Sequence, residues 1–124
     1  MSHQIIVPSF ERTDERGMFQ EILNDGRWEA LIHGNMKSGA VMGNHYHKHT
    51  LIFFYLTTGS VTIRTVNVES GETDEFHLGP GQGTILQINE SHVIRFLKES
   101  EFIMLKSHKY DSDDPDTYRF LVED

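Results

Sequence analysis

Short apolar runs and alternating stretches, divided by turn-forming residues, recur along the whole chain. Val61, Ile63 and Thr65 alternate with Thr62 and Arg64, which is the pattern of a half-buried strand. No window shows helical periodicity with capping residues. The predicted strands cover residues 4–10, 18–22, 28–37, 41–47, 51–57, 61–68, 73–78, 84–88, 92–96, 102–106 and 117–122, with a polar turn over 12–17. Strands at this spacing predict an all-β sandwich or barrel.

Length and composition narrow the class of protein. The 124 residues predict a single domain over 1–124, and the absence of cysteine excludes disulfides and thiol chemistry. A formal net charge of -8 disfavours binding to nucleic acid or to an anionic membrane. The chain starts without the basic and apolar regions of a signal peptide, and its longest apolar run, residues 51–56, is too short to cross a bilayer. We therefore expect a soluble, cytoplasmic protein.

A pair of histidines one residue apart is the main candidate for chemistry. His45 and His47 precede an apolar run, and alternate side chains of a strand point to the same face. His92 begins another apolar segment, so the three imidazoles can converge if the two segments are neighbouring strands of a barrel. Such a cluster suits a metal ion or a proton transfer near neutral pH. Two solvated histidines at a strand edge are the alternative for the pair taken alone.

These motifs resemble those of the cupin family. Gly43, His45, His47 and Gly59 match the first cupin motif, and Gly79-Pro80-Gly81 followed by His92 matches the second. The resemblance implies a single cupin-type jelly-roll β-barrel, mostly antiparallel, with the histidines in its mouth.

A closer resemblance is to the C-terminal cupin of bifunctional enzymes that build capsular polysaccharide from sugar nucleotides. Three stretches carry it: residues 14–21, residues 43–47 and residues 114–118. The chain is similar, more weakly, to dTDP-keto-deoxyhexose ketoisomerases, whose Gly-His-x-His-Lys stretch is matched by residues 43–48 apart from the inserted Asn44. The cupin of the first relatives is joined to a reductase domain, so we expect a separate reductase as a partner.

One departure from the cupin pattern concerns the metal. The glutamate that ligates metal in cupins would fall at Ile52. Three imidazoles can still hold a zinc ion with an open fourth position, whereas the missing carboxylate disfavours iron or manganese. The expected cofactor is therefore one divalent metal, zinc first, and no organic cofactor. Acid–base chemistry without metal stays open.

The same strand also predicts an interface. If position 52 faces the barrel interior, then Phe53 and Tyr55 lie on the opposite face of the strand and point outward. Two exposed aromatic side chains need cover, which suggests a homodimer.

The resemblance implies an isomerase or epimerase that acts on a nucleotide-linked keto-deoxy sugar in surface polysaccharide biosynthesis. Such a reaction needs a base, an acid that returns the proton, and a group that holds the enolate oxygen. The predicted base is His45 or His47, with His92 as its partner or as the enolate stabiliser. The residue predicted to return the proton is Tyr46 or Tyr118. The residues predicted to bind the diphosphate of the substrate are Arg16, Arg64 and Arg95.

Two other classes of function remain open at this point. One is a metal-dependent cupin oxygenase, against which Ile52 argues. The other is a noncatalytic cupin that binds sugar or recruits a partner.

Overall fold

The protein, represented by a computed structural model that describes residues 3–123, is built of strands alone. In chain order they are β1 (Phe10–Asp14), β2 (Gly17–Glu21), β3 (Ala30–Met36), β4 (Val41–Tyr46), β5 (Ile52–Thr58), β6 (Val61–Asn67), β7 (Thr73–Leu78), β8 (Gln82–Leu86), β9 (Glu90–Phe96), β10 (Ser100–Lys106) and β11 (Tyr118–Arg119). The predicted all-β class is confirmed. Residues 3–123 contain no helix that is long and apolar enough to span a membrane.

Two antiparallel sheets face each other across one hydrophobic core. Four strands form the first sheet, in the order β3-β10-β5-β8, and five form the second, in the order β11-β4-β9-β6-β7. The core takes alternate residues from both sheets, as a barrel wall requires. Its buried members are Ile52, Phe54, Leu56, Val61, Ile63, Leu78, Leu86, Ile94, Phe96, Phe102 and Met104. β1 and β2 pair only with each other and form a separate exposed hairpin.

The two aromatic side chains on β5 that suggested a dimer are not exposed. Ile52 faces the core as expected, and Phe53 and Tyr55 point to the opposite face of the sheet. Both aromatics are nevertheless buried by their own chain, with exposures of only 1% and 3%. The Trp28 ring packs against Phe53 at a centroid distance of 6.4 Å. These two side chains therefore need no second subunit to cover them.

The N-terminal part of the chain differs most from the sequence prediction. Of the predicted strand over residues 4–10, residues 4–9 form none and Phe10 begins β1; Ile6 makes an isolated β-bridge, to Gly83. Pro8 lacks a donor for a longer ladder. The predicted polar turn is shorter than expected, because Arg12 to Asp14 continue β1 and only the two residues that follow turn the chain into β2.

Candidate functional site

A β-bulge directs the histidine pair into the barrel. β4 pairs with β9, and the register shifts between Gly43 and His45. Met42 packs against the core, so uninterrupted alternation would point His45 outward. Asn44, with a positive φ of 60°, is the extra residue that resets the alternation. The insertion that separates this chain from the Gly-His-x-His-Lys pattern is thus the residue that turns His45 inward.

One inward-facing row of residues across the five-stranded sheet is polar. Cross-strand partners run from Asp74 on β7 to Thr65, His92 and His45, and end at Arg119 on β11. Partners in an antiparallel ladder share a face of the sheet. The row marks the level at which the apolar core gives way to a polar mouth. His47, just beyond the end of β4, joins it there.

The three predicted histidines converge at this level. Each of His45, His47 and His92 offers one ring nitrogen, and these nitrogens all lie within 4.8 Å of one another. His47 Nε2 and His92 Nδ1 are buried and have no hydrogen-bond partner among the described residues. Buried polar atoms are nearly always paired, so two unpaired nitrogens in one cluster indicate a place for a bound ion or ligand atom. The solvated-edge alternative for the pair is wrong, since His47 is only 4% exposed.

Burial keeps all three imidazoles neutral. Desolvation, followed by the charges of His45 and His47, lowers the pKa of His92 to about 3. Burial is also the main cause of the lowered pKa of His45 and of His47. Neutral imidazoles present lone pairs, which serve either as metal ligands or as general bases.

Asp116 holds the turn that carries His47. Its backbone carbonyl accepts the Nδ1–H of His47 at 2.7 Å, which leaves Nε2 as the lone pair facing the cluster. Its carboxylate accepts hydrogen bonds from the backbone of Lys48 and His49 and from the Thr50 hydroxyl, at 2.8, 3.0 and 2.7 Å. Because the partners lie at least 66 residues away in the chain, only the match at residues 114–118 pointed to this segment.

Asn44 anchors the rest of the C-terminal segment. Its carbonyl accepts the backbone N–H of Phe120 at 3.0 Å, and its side-chain oxygen accepts those of Val122 and Glu123 at 2.8 and 3.2 Å. The bulge that aims His45 therefore also fixes the strand β11 beside it.

The two predicted tyrosines lie away from the histidines. Tyr46 and Tyr118 are cross-strand partners with ring centroids 5.4 Å apart, and the Lys48 ammonium lies 4.3 Å from the centre of the Tyr118 ring. Since Tyr46 follows the inward-facing His45, the pair occupies the opposite face of the sheet. The structure thus gives neither tyrosine a direct path to a proton at the cluster.

The three predicted arginines are also absent from the cluster. Arg64 and Arg95 point outward, because their neighbours Thr65 and Ile94 point inward, and both bind the Glu123 carboxylate at 2.8 and 2.9 Å. Arg16 lies in the exposed hairpin and pairs with Asp14 at 2.7 Å. The strand alternation that places His92 inward already excludes Arg95 from the site.

Two cations that the sequence prediction missed face the cluster instead. Lys106 on β10 is the cross-strand partner of Ile52, the position of the absent glutamate, and Arg119 on β11 is the partner of His45. Lys106 lines a cavity of about 380 Å³ together with His47. Alternation along β10, from Phe102 through Met104 to Lys106, was the available sequence signal.

Comparisons with known proteins agree with this architecture. CapF, the capsular polysaccharide assembling protein from Staphylococcus aureus, is 25% identical and superimposes with a TM-score of 0.70 over 91% of this chain and 34% of its own. This chain therefore spans about a third of the length of CapF. No curated protein sequence matches the chain.

Two epimerases share the fold at lower identity. The RmlC epimerase from Mycobacterium tuberculosis is 20% identical, with a TM-score of 0.78 over 97% of this chain and 69% of its own. The dTDP-4-dehydrorhamnose 3,5-epimerase from Bacillus anthracis is 13% identical, with a TM-score of 0.80 over 98% of this chain and 80% of its own. These likenesses confirm the predicted cupin-type jelly roll.

A family model provides the assignment. The model of the polysaccharide biosynthesis C-terminal domain matches residues 12–118, which include the bulge, all three histidines and Asp116. The chain therefore belongs to the polysaccharide biosynthesis C-terminal domain family.

Proposed function

We propose that the protein is an isomerase or epimerase of a nucleotide-linked keto-deoxy sugar in the biosynthesis of a surface polysaccharide. The observation that carries the proposal is the cluster of three neutral imidazoles, two with unpaired buried nitrogens, in the mouth of the barrel. Membership of a polysaccharide biosynthesis family and likeness to CapF and to sugar-nucleotide epimerases support the substrate class.

For acid–base chemistry without metal, the base of the reaction is assigned to His45. It is the least buried member of the cluster, so a substrate carbon can approach it from the mouth. Its lowered pKa, caused first by burial, keeps it unprotonated at neutral pH, as a base must be. His47 is tied to the Asp116 carbonyl and His92 lies deeper. Once protonated, the His45 imidazolium is the group best placed to return the proton.

The donor set also fits a zinc ion, as the alternative to the acid–base role of His45, because a neutral imidazole has one lone pair and cannot use it both to ligate a metal and to accept a proton. His45, His47 and His92 would hold it through one nitrogen each, and the hydrogen bond from His47 Nδ1 to the Asp116 carbonyl is the support that metal-binding histidines usually have. Bound zinc would supply a Lewis acid for the substrate oxygen that becomes an enolate. Ile52, buried in the core, leaves the set without the carboxylate that iron prefers, so the oxygenase alternative is not favoured.

The proposal retains a homodimer, a separate reductase as a partner, and a cytoplasmic location. Support for the dimer now comes from other side chains than the aromatics of β5. Phe10, Met18 and Phe19 in the hairpin are 47%, 57% and 55% exposed, and Leu31 on the edge strand β3 is 72% exposed. Light scattering at several concentrations tests the dimer.

Hydrogen exchange at carbon tests the reaction. UDP- and dTDP-linked 4-keto-6-deoxy sugars are incubated with the protein in deuterated water, and the recovered sugars are analysed by NMR and mass spectrometry. We expect deuterium at a carbon next to the carbonyl, lost in His45→Ala. Binding of the sugar nucleotides without any deuterium at carbon would refute catalysis and leave a noncatalytic binding domain.

A further inference from the structure

Lys106 and Arg119 approach the histidine cluster from opposite sheets. Lys106 ends β10 in the four-stranded sheet, and Arg119 lies on β11 in the five-stranded sheet, across from His45. Lys106 and His47 line the same cavity, and the ring centroids of His47 and His45 lie 5.2 Å apart. Two positive charges therefore border the space beside His45.

Neither cation is neutralised by the part of the chain that the structure describes. No carboxylate of residues 3–123 forms an ion pair with Lys106 or Arg119, in a chain whose formal net charge is -8. Arg16, Arg64 and Arg95, in contrast, each bind a carboxylate. Unneutralised cations at a polar mouth of an acidic protein attract an anion to that place.

Four carboxylates share a cavity with Lys106, but none of them forms an ion pair with it. They belong to Glu29, Asp111, Asp114 and Asp116. Arg119 and His45 are not among the residues that line this cavity. We therefore place the anion on the Arg119 side of Lys106, away from these carboxylates.

We infer that Lys106 and Arg119 bind the diphosphate of a nucleoside diphosphate, so that the attached sugar reaches His45. That the ligand is a nucleotide rests on the proposed function. Lys106 and Arg119 take the role that the sequence analysis gave to Arg16, Arg64 and Arg95. A diphosphate carries oxygens enough to contact both side chains, with the guanidinium suited to paired contacts and the ammonium to a point contact.

Binding measurements with matched variants test the assignment. Isothermal titration calorimetry is performed with UDP, TDP, inorganic pyrophosphate and uridine on the wild type and on Lys106→Gln, Arg119→Gln and Arg64→Gln. Arg64 is the control, an arginine of the same sheet whose charge lies on the outer face. We expect each site variant to weaken binding of UDP or TDP about ten-fold and to flatten its salt dependence, and Arg64→Gln to change affinity less than about two-fold. Circular dichroism confirms that each variant is folded.

The outcomes separate this inference from the proposed function. Tight UDP or TDP binding that survives in both site variants would refute the roles of Lys106 and Arg119 and leave the function standing. Pyrophosphate binding that depends on both residues, without binding of UDP or TDP, would support the anion site and refute the nucleotide. A wild type that binds none of the three phosphates would overturn the inference.

Discussion

Replacement of Asp116 by alanine provides the sharpest test of how the site is built. The carboxylate accepts three hydrogen bonds, from two backbone N–H groups and from the Thr50 hydroxyl. Lys48 and His49 are exposed, so water can replace the carboxylate there, whereas Thr50 is 4% exposed and would be left unpaired. Hydrogen bonds to a charged group contribute about 1.5–3 kcal/mol each, and they are not additive.

The backbone adds a second cost. Asp116 has a positive φ of 50°, a conformation that Asp and Asn adopt more readily than alanine does, at a difference of about 1 kcal/mol. We therefore expect Asp116→Ala to lower the free energy of unfolding by roughly 3 kcal/mol. Asp116→Asn keeps an acceptor and the backbone preference and should lose about half of that. Asp113→Ala, an exposed carboxylate of the same segment, is the control and should change stability by less than about 0.5 kcal/mol.

Urea unfolding and zinc titration together measure the effect. Because the turn positions His47, we also expect Asp116→Ala to weaken zinc affinity about 10- to 100-fold at temperatures where the variant is folded. Burial raises the pKa of Asp116, but its hydrogen bonds outweigh burial and the net pKa lies below the ordinary 3.8. Its contribution to stability is thus full above 3.8 and disappears as the pH falls through the lowered value. Wild-type stability and zinc affinity in Asp116→Ala would refute this account.

Two further predictions concern the histidines. His45→Ala, His47→Ala and His92→Ala should each lose most of the zinc bound by untagged protein, since affinity depends on all three ligands; zinc retained in every variant, measured by elemental analysis, would exclude the site. His3 lies between Asp74 and Glu90, at 2.7 Å from each, and although burial lowers its pKa, these two carboxylates raise it to a net value above 6.5. Its charge therefore stabilises the fold fully below pH 6.5 and less as the pH rises through the raised value. His3→Gln should cost about 1 kcal/mol near pH 6 and less near pH 9, by urea unfolding; a pH-independent difference would contradict the ion pairs.

The all-β class of the fold could be predicted from the sequence, from the alternation of apolar residues and the positions of turn residues. Alternation correctly placed Val61, Ile63 and Thr65 on one face of β6, which the structure shows to be the inner face, and turn residues located most strand ends within a few positions. The strand prediction failed at residues 4–9 for a physical reason, since an apolar segment with one bridge and a proline resembles a strand in composition alone.

The histidine cluster and the cations around it were accessible to different degrees. The His-x-His spacing identified His45 and His47 as a pair, since alternate residues of an extended segment share a face, and the apolar segment that begins at His92 indicated the third histidine. The same alternation predicts that Arg64 and Arg95 point away from the site. It also predicts that Lys106 points inward, because Lys106 lies two residues after the inward-facing Met104. The sequence alone was sufficient for these assignments, once the inner face was known.

Only the tertiary structure decided how the histidines are held. The bulge at Asn44 reverses the alternation locally, and its presence depends on the register between β4 and β9. Asp116 reaches His47 from 69 residues away, and Arg119 lies beside His45 because β11 returns to the edge of β4. Hydrogen bonds between such distant segments depend on how the two sheets pack around the core, and local sequence preferences do not predict that packing.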